Sequence, residues 1–226
     1  MKKLISVLLC TAPAASYAQT AIKAGAIQLG GNISYSQSNS ASTAPSSSIG
    51  GTSNTESHSF SVAPSGGYFV ADNLAVGLSV GYSSSYQYAA GPYASSPYSM
   101  RTKGFNVGPF VQYYRLLTNQ FGLTGTVNAS YGYSTSNYVY VYTSGIDNTD
   151  KNSKGYYANV VPGLVFFPVP KLALGAAAGG FFYNHLHSTT LDNLTSTTLT
   201  DGNSSSFSAN FGLSYLTFSG TYYLHR

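Results

Sequence analysis

VAPSGGYFVADNLAVGLSVGY, Val62–Tyr82, is two alternating runs joined at Asp72-Asn73. In the second run Leu74, Val76, Leu78, Val80 and Tyr82 share one face of an extended chain, and Ala75, Gly77, Ser79 and Gly81 share the other. Period two marks a strand, because successive side chains project to opposite faces. The run ending in this stretch obeys the same rule, with Phe60, Val62, Pro64, Tyr68 and Val70 opposing Ser59, Ser61, Ala63, Ser65 and Gly67. One face is large and apolar, and the other is small and uncharged. A sheet face turned to bulk water carries Lys and Glu instead, which argues against a soluble sandwich.

The pattern recurs along the chain. In AIQLGGNISYS, Ile27, Leu29, Ile33 and Tyr35 oppose Gln28, Gly30, Asn32 and Ser34. Further runs are Phe105–Tyr114, Phe121–Tyr133, Tyr156–Phe167, Leu172–Tyr183 and Phe207–Tyr223, which makes eight predicted strands. Three connections are short: Ala71–Asn73, Leu117–Gln120 and Pro168–Lys171. Four are long and rich in Ser, Thr, Asn and Gly, at roughly 37–57, 86–100, 136–154 and 188–203. That rhythm predicts an all-β, eight-stranded, antiparallel up-and-down barrel, with both termini at the short-turn rim. In the last strand Leu216 and Phe218 break the parity of Phe211, Leu213 and Tyr215, which predicts a bulge.

Composition agrees. Charged residues are 7% of the 226, against about 25% in soluble domains. Tyr numbers 21, Gly 24, and Trp is absent. Mean hydropathy is near zero, and no apolar run after the N-terminus is long enough for a spanning helix. A barrel wall with lipid on one side and a polar interior on the other reconciles these numbers.

Residues 1–18 read as a signal peptide: Lys2 and Lys3, an apolar stretch Leu4–Leu9, then Ser16-Tyr17-Ala18 as the small-x-small cleavage pattern. The barrel domain is then 19–226. The single cysteine, Cys10, falls in the removed segment, so neither a disulfide nor thiol chemistry is expected. Loss of Lys2 and Lys3 takes the formal charge from +4 to +2, which is no basic footprint for nucleic acid.

PSGGYF at Pro64–Phe69, PFVQYY at Pro109–Tyr114 and PGLVFF at Pro162–Phe167 share a proline followed by an aromatic pair. Each falls on an even-numbered strand just before a short turn. Tyr68, Tyr113 and Phe166 share the prolines' parity and are expected to form a lipid-interface girdle. Phe69, Tyr114 and Phe167 have opposite parity and, with Phe110, are expected to form a lumen floor. Each proline deletes a ladder donor from a sheet without edges, which calls for local bulges or lumen water.

VAPSGGYFVADNLAVGLSVGY and FNVGPFVQYYRLLTNQFGL resemble the hairpins of the small outer-membrane β-barrel family, the porin-like domains of Gram-negative envelopes. AIQLGGNISYS resembles the family's first strand, and Tyr222-Tyr223 its aromatic-rich last strand. The resemblance begins near Lys23. It implies an eight-stranded barrel in the cell outer membrane, with extracellular loops and periplasmic termini. It implies no particular activity.

Little chemistry is legible. No pair of carboxylates is expected to face the lumen, and no cofactor is implied. His185 and His187 share one strand face but lack an evident third metal ligand. His58, between Ser57 and Ser59, is the one residue that hints at a lipid-modifying enzyme. Arg101 and Lys103 are expected to face outward just above the apolar band, within reach of lipopolysaccharide phosphates. The reading is a non-enzymatic, monomeric outer-membrane barrel that meets membrane lipid and displays four surface loops. Its polar lumen is expected to be closed at the periplasmic end. A narrow passive channel for small solutes and a lipid-modifying enzyme are the alternatives.

Overall fold

The computed structural model describes residues 21–44, 51–90, 97–142, 145–193, 195 and 197–224. The signal-peptide reading of 1–18 lies outside them. The strands are β1 (Ile27–Ala44), β2 (Gly51–Ala71), β3 (Leu74–Ala90), β4 (Tyr98–Leu116), β5 (Phe121–Tyr142), β6 (Gly145–Val169), β7 (Leu172–Asp192) and β8 (Thr197–Leu224). Each pairs antiparallel with its sequence neighbours, and β8 returns to β1, so the sheet closes as an eight-stranded up-and-down barrel. The expected fold is therefore the observed one.

The faces follow the alternation. Val76, Leu78, Val80, Val107, Val111, Leu123, Val127 and Leu164 are exposed on the outer wall. In a water-soluble monomer that continuous apolar surface would be a severe liability, whereas in a bilayer it is the lipid-facing belt. Aromatic or large apolar residues bound the belt at both ends, as in Leu74 to Tyr82, Tyr113 to Phe105 and Phe121 to Tyr131. Separations of this length, at about 3.4 Å per residue and a tilt of about 40°, span about 20–25 Å, the height of the apolar band of membrane barrels.

The wall continues beyond the belt, and this corrects the long loops expected from sequence. Most of 37–57, 86–100, 136–154 and 188–203 is paired strand. In β5–β6 the ladder runs unbroken from Phe121↔Phe166 to Tyr142↔Gly145. β6 has 25 residues, enough to rise about 60 Å, twice the roughly 30 Å of the hydrocarbon core. The extension is held by side-chain hydrogen bonds such as Asn137 Nδ2 to Asn148 Oδ1 at 2.7 Å and to Asp150 Oδ1 at 2.8 Å. Tyr138, Tyr140 and Tyr142 stack along its inner face. Burial, then the neighbouring Tyr138 and Tyr142, push the Tyr140 phenol above its ordinary 10.0.

The prolines are accommodated by a common rule. Pro64 pairs with Gly31 on β1, Pro109 with Leu78 on β3, and Pro162 with Gly125 on β5. Each is skipped in the ladder to the strand that follows. For Pro64 and Pro109 the register resumes unchanged. At Pro162 it shifts by one residue between Val160↔Phe181 and Leu164↔Ala176. The extra residue lies on β7, where Gly179 has φ 107°, a conformation that glycine accepts and other residues resist. The parity break in β8 is also real. Ala178 pairs with Leu216 and the adjacent Gly179 with Phe211, so the chain from Gly212 to Tyr215 leaves the ladder.

One seam differs from the rest. Every residue of β1 pairs with β2, but β1 and β8 pair only from Ile27↔Leu224 to Gly31↔Gly220. Beyond Gly31 no ladder joins the two strands among the described residues.

Candidate functional site

The lumen narrows to a packed layer at the short-turn end. Three of the expected floor residues, Phe69, Tyr114 and Phe167, are brought together there and are fully or nearly fully buried. They meet through Tyr223 of β8, whose ring centroid lies 6.1 Å from Phe69, 6.4 Å from Tyr114 and 5.6 Å from Phe167. Phe69 and Tyr114 are also in contact, with centroids at 5.7 Å. Phe110 is buried one level further into the barrel, over the small inward positions Gly67 and Gly77. A side chain at Gly77 would collide with its ring.

A polar cluster caps this layer on its lumen side. Tyr223 Oη donates to Tyr114 Oη at 3.0 Å. The Tyr114 hydroxyl lies 2.9 Å from both Gln28 Oε1 and Gln112 Oε1, and Gln28 Nε2 donates to Gln112 Oε1 at 3.0 Å. β1, β4 and β8 are thereby tied across the bore. Buried polar groups are tolerable only when paired in this way.

Beneath the layer the chain preceding β1 folds under the barrel. Ile22 is fully buried there and Ala26 nearly so, in one cluster with Phe69, Tyr114, Phe167 and Tyr223. Backbone bonds fix the segment: Gly25 N–H to Phe69 O and Phe69 N–H to Ala26 O at 2.9 Å, with Asn73 N–H to Ile22 O at 2.9 Å. Asp72 accepts from Ala24 N–H at 3.0 Å and from Lys23 Nζ at 2.9 Å. The backbone bond first, and then the lysine, hold its carboxyl below the ordinary 3.8. Asn73 carries the turn with φ 63°, which asparagine tolerates.

Above the floor lies a cavity of about 770 Å³. Asn32, Ser79, Asn106, Thr126, Asn128 and Asn159 are among its polar lining, and no lining residue is charged. Toward β6 and β7 the inward lining includes Val161, Val165 and Phe182, whereas β8 contributes Thr217, Ser219 and Thr221, with the outward-row Leu216 and Phe218 at its open edge.

The remaining sequence-derived candidates lie on the outer wall. Tyr68 and Tyr113 are exposed, and Phe166 stacks on Phe121 with centroids 4.7 Å apart, all just before the short turns. Arg101 places its guanidinium carbon 5.8 Å from the Tyr86 ring centroid, and Lys103 is exposed one step nearer the belt. His58 bonds to Glu56 at 2.8 Å and lies against Tyr86. Alternation turns Ser57 and Ser59 to the other face, and Ser59 bonds instead to Ser36. His185 and His187 bond to Ser205 at 2.8 Å and Asn203 at 3.1 Å, and His187 Nε2 lies 3.1 Å from Asp201. No group of three potential metal ligands occurs among the described residues.

Tyr223, Gln28, Gln112 and Ile22 were not expected at the floor. Tyr223 lies beyond the parity break of β8, which hides its face. The two glutamines meet across 84 residues, a pairing that no local pattern reveals.

A closed antiparallel barrel with an apolar outer belt and a polar interior defines the class of membrane-spanning β-barrels found in bacterial outer membranes. No protein-family model and no curated protein matches the chain. Among solved structures it is similar to the outer membrane protein OprG from Pseudomonas aeruginosa, at 12% identity, covering 90% of this chain and 98% of that one, with a TM-score of 0.48. It is similar to a major outer membrane protein from Thermus thermophilus, at 11% identity, 88% and 99% coverage and a TM-score of 0.45. It is also similar to the outer membrane protease OmpT from Escherichia coli, at 13% identity, 88% and 90% coverage and a TM-score of 0.35.

Proposed function

We propose that the chain is a non-enzymatic outer-membrane barrel whose lumen is a blind, hydrated cup, open toward the cell surface and stopped at the periplasmic end. The observation that carries this reading is the floor: Phe69, Tyr114, Phe167 and Tyr223 in mutual contact, with Ile22 buried beneath them. A constriction of packed rings strips water from any ion that approaches it. The tall hairpin walls and their tips then face the exterior, while the short turns and both termini face the periplasm, the usual orientation of bacterial barrels. The cavity above the floor is lined by no carboxylate or imidazole for acid–base work, which supports a non-enzymatic role. Arg101 and Lys103 stand at the level of lipopolysaccharide phosphates and bind them as charge-assisted partners, with the protein acting as a monomer.

Two measurements test this. Ile146, exposed on the outer wall of β6, and Lys171, in a short turn, are each changed to Cys. An impermeant thiol reagent added to intact cells labels Ile146→Cys and spares Lys171→Cys. Proteoliposomes bearing the protein do not swell in isosmotic arabinose. Labelling of Lys171→Cys alone, or rapid swelling, would overturn the reading.

A further inference from the structure

The β1–β8 seam sets a physical problem that the lumen cavity answers. Above Gly31↔Gly220 the two strands present edges with no ladder between them. Part of this gap lies at belt height, because Ile33 pairs with Val62 and Val62 with Tyr82, at the upper margin of the belt. Unpaired backbone facing hydrocarbon is not tolerated; it persists only where protein, water or a bound group satisfies it. Ile33 is 70% exposed and Phe218 69%, so both flank the gap as outward-facing side chains.

The cavity reaches this gap. Gly31 and Asn32 line it from β1, and Ser214–Ser219 from β8. Most of its wall carries amides and hydroxyls, including Thr217 and Ser219 of β8, and Val161, Phe182, Leu216 and Phe218 supply apolar groups on the β6–β8 side, the last two at the open seam. Its volume, about 770 Å³, falls in the roughly 300–1,000 Å³ of small-molecule sites. The floor closes it below. The space is therefore polar at its centre, apolar at its lateral mouth, and free of charge.

We propose that lumen and seam together form a binding site for one amphiphile with an uncharged, hydroxyl-rich head and a single hydrocarbon tail. The head occupies the lumen among Asn32, Ser79, Asn106 and Asn128, and satisfies the open edges of β1 and β8. The tail leaves between Ile33 and Phe218 and lies on the outer belt. A charged head is disfavoured, because no lining side chain compensates the loss of its hydration. The proposal rests on the reading of the lumen as a blind cup.

The continued register defines a lock. It places Asn32 opposite Ser219 and Ile33 opposite Phe218, and successive antiparallel pairs alternate between close and wide spacing, so one of the two suits a disulfide. Both pairs are changed to Cys in a chain whose sole natural cysteine is Cys10. A second variant, Asn128→Phe, fills the lumen and leaves the seam alone. Folding is checked for each by heat-modifiable gel mobility.

The protein, in phosphatidylcholine nanodiscs containing either 1-monooleoylglycerol or lysophosphatidic acid of the same chain, is released and weighed by native mass spectrometry. The expected result is a one-to-one monooleoylglycerol complex in reduced protein. Its occupancy falls at least tenfold on oxidation of the double-cysteine variant, recovers on reduction, and falls similarly in Asn128→Phe; lysophosphatidic acid is not retained. Equal retention of both amphiphiles would mean annular lipid only and would overturn the proposal, as would occupancy indifferent to oxidation. If neither cysteine pair oxidises, unchanged occupancy in Asn128→Phe overturns it alone. Conductance on the same preparations separates the two claims: a silent protein without bound monooleoylglycerol refutes this site only, whereas a steadily conducting one refutes the blind cup.

Discussion

Tyr223 of the last strand donates a hydrogen bond to Tyr114 of the fourth at 3.0 Å, joining residues 109 positions apart across the bore. β4 and β8 stand on opposite sides of the barrel and share no ladder, so this bond braces the wall from within. Removing only the hydroxyl, in Tyr223→Phe, is expected to cost about 1 kcal/mol. Removing the ring, in Tyr223→Ala, is expected to cost about 3–5 kcal/mol, because Phe69, Tyr114 and Phe167 all lose a packing partner. Urea unfolding in lipid vesicles checks both, and equal effects would mean that the ring contributes nothing beyond its hydroxyl.

Leu78 and Ser79 are neighbours on β3 with opposite fates. Leu78 faces lipid near mid-belt, while Ser79 donates to Gly108 O at 3.3 Å inside. Leu78→Arg is expected to destabilise the folded barrel by about 2–4 kcal/mol, and Ser79→Arg by less, because lumen water solvates the guanidinium. The reverse order in vesicle unfolding would mean that the faces are inverted.

That division of faces was legible because lipid and lumen make opposite demands on alternate residues. The signal fades where the demand ends. Beyond the belt both faces of β5 and β6 meet water, so Ser134–Tyr142 and Gly145–Ser153 lose their alternation and read as loop although they are paired throughout. The proline–aromatic repeat revealed Phe69, Tyr114 and Phe167, since each follows a proline at the same spacing. Tyr223 has no such marker, and the excursion at Gly212–Tyr215 reverses parity before it. Ile22 precedes the first strand and belongs to no periodic pattern, so its place under the floor rests on the bond from Asn73 N–H to its carbonyl and on its own N–H donating to Asn73 Oδ1.

Gly179 is expected to be irreplaceable and Gly125 replaceable. Gly179 has φ 107° at the bulge, and a side chain there would strike the Asn210 carbonyl. Gly179→Ala is expected to cost more than about 1 kcal/mol. Gly125, opposite Pro162, has open space around it, so Gly125→Ala is expected to lie within about 0.5 kcal/mol of the parent. Comparable losses would remove the bulge as the reason for that glycine.

The N-terminal segment should loosen in acid. Asp72 has its pKa lowered by the bond from Ala24 N–H and then by Lys23. Its contribution is complete above the ordinary value of 3.8 and is lost as pH falls through the lower folded pKa. Hydrogen exchange at the Ala24 amide is expected to lose protection as pH falls below 3.8, after correction for intrinsic rates. Asp72→Asn should abolish that dependence. Protection that persists unchanged to about pH 2 would show that Asp72 does not hold the segment.

The most direct test of the blind cup is single-molecule conductance in a planar bilayer. The parent protein is expected to show no steady open level. The triple change Phe69→Ala, Tyr114→Ala and Phe167→Ala, confirmed as folded by heat-modifiable mobility, is expected to show a sustained ohmic current. A steady current in the parent, unaltered by the three substitutions, would contradict the floor as a seal.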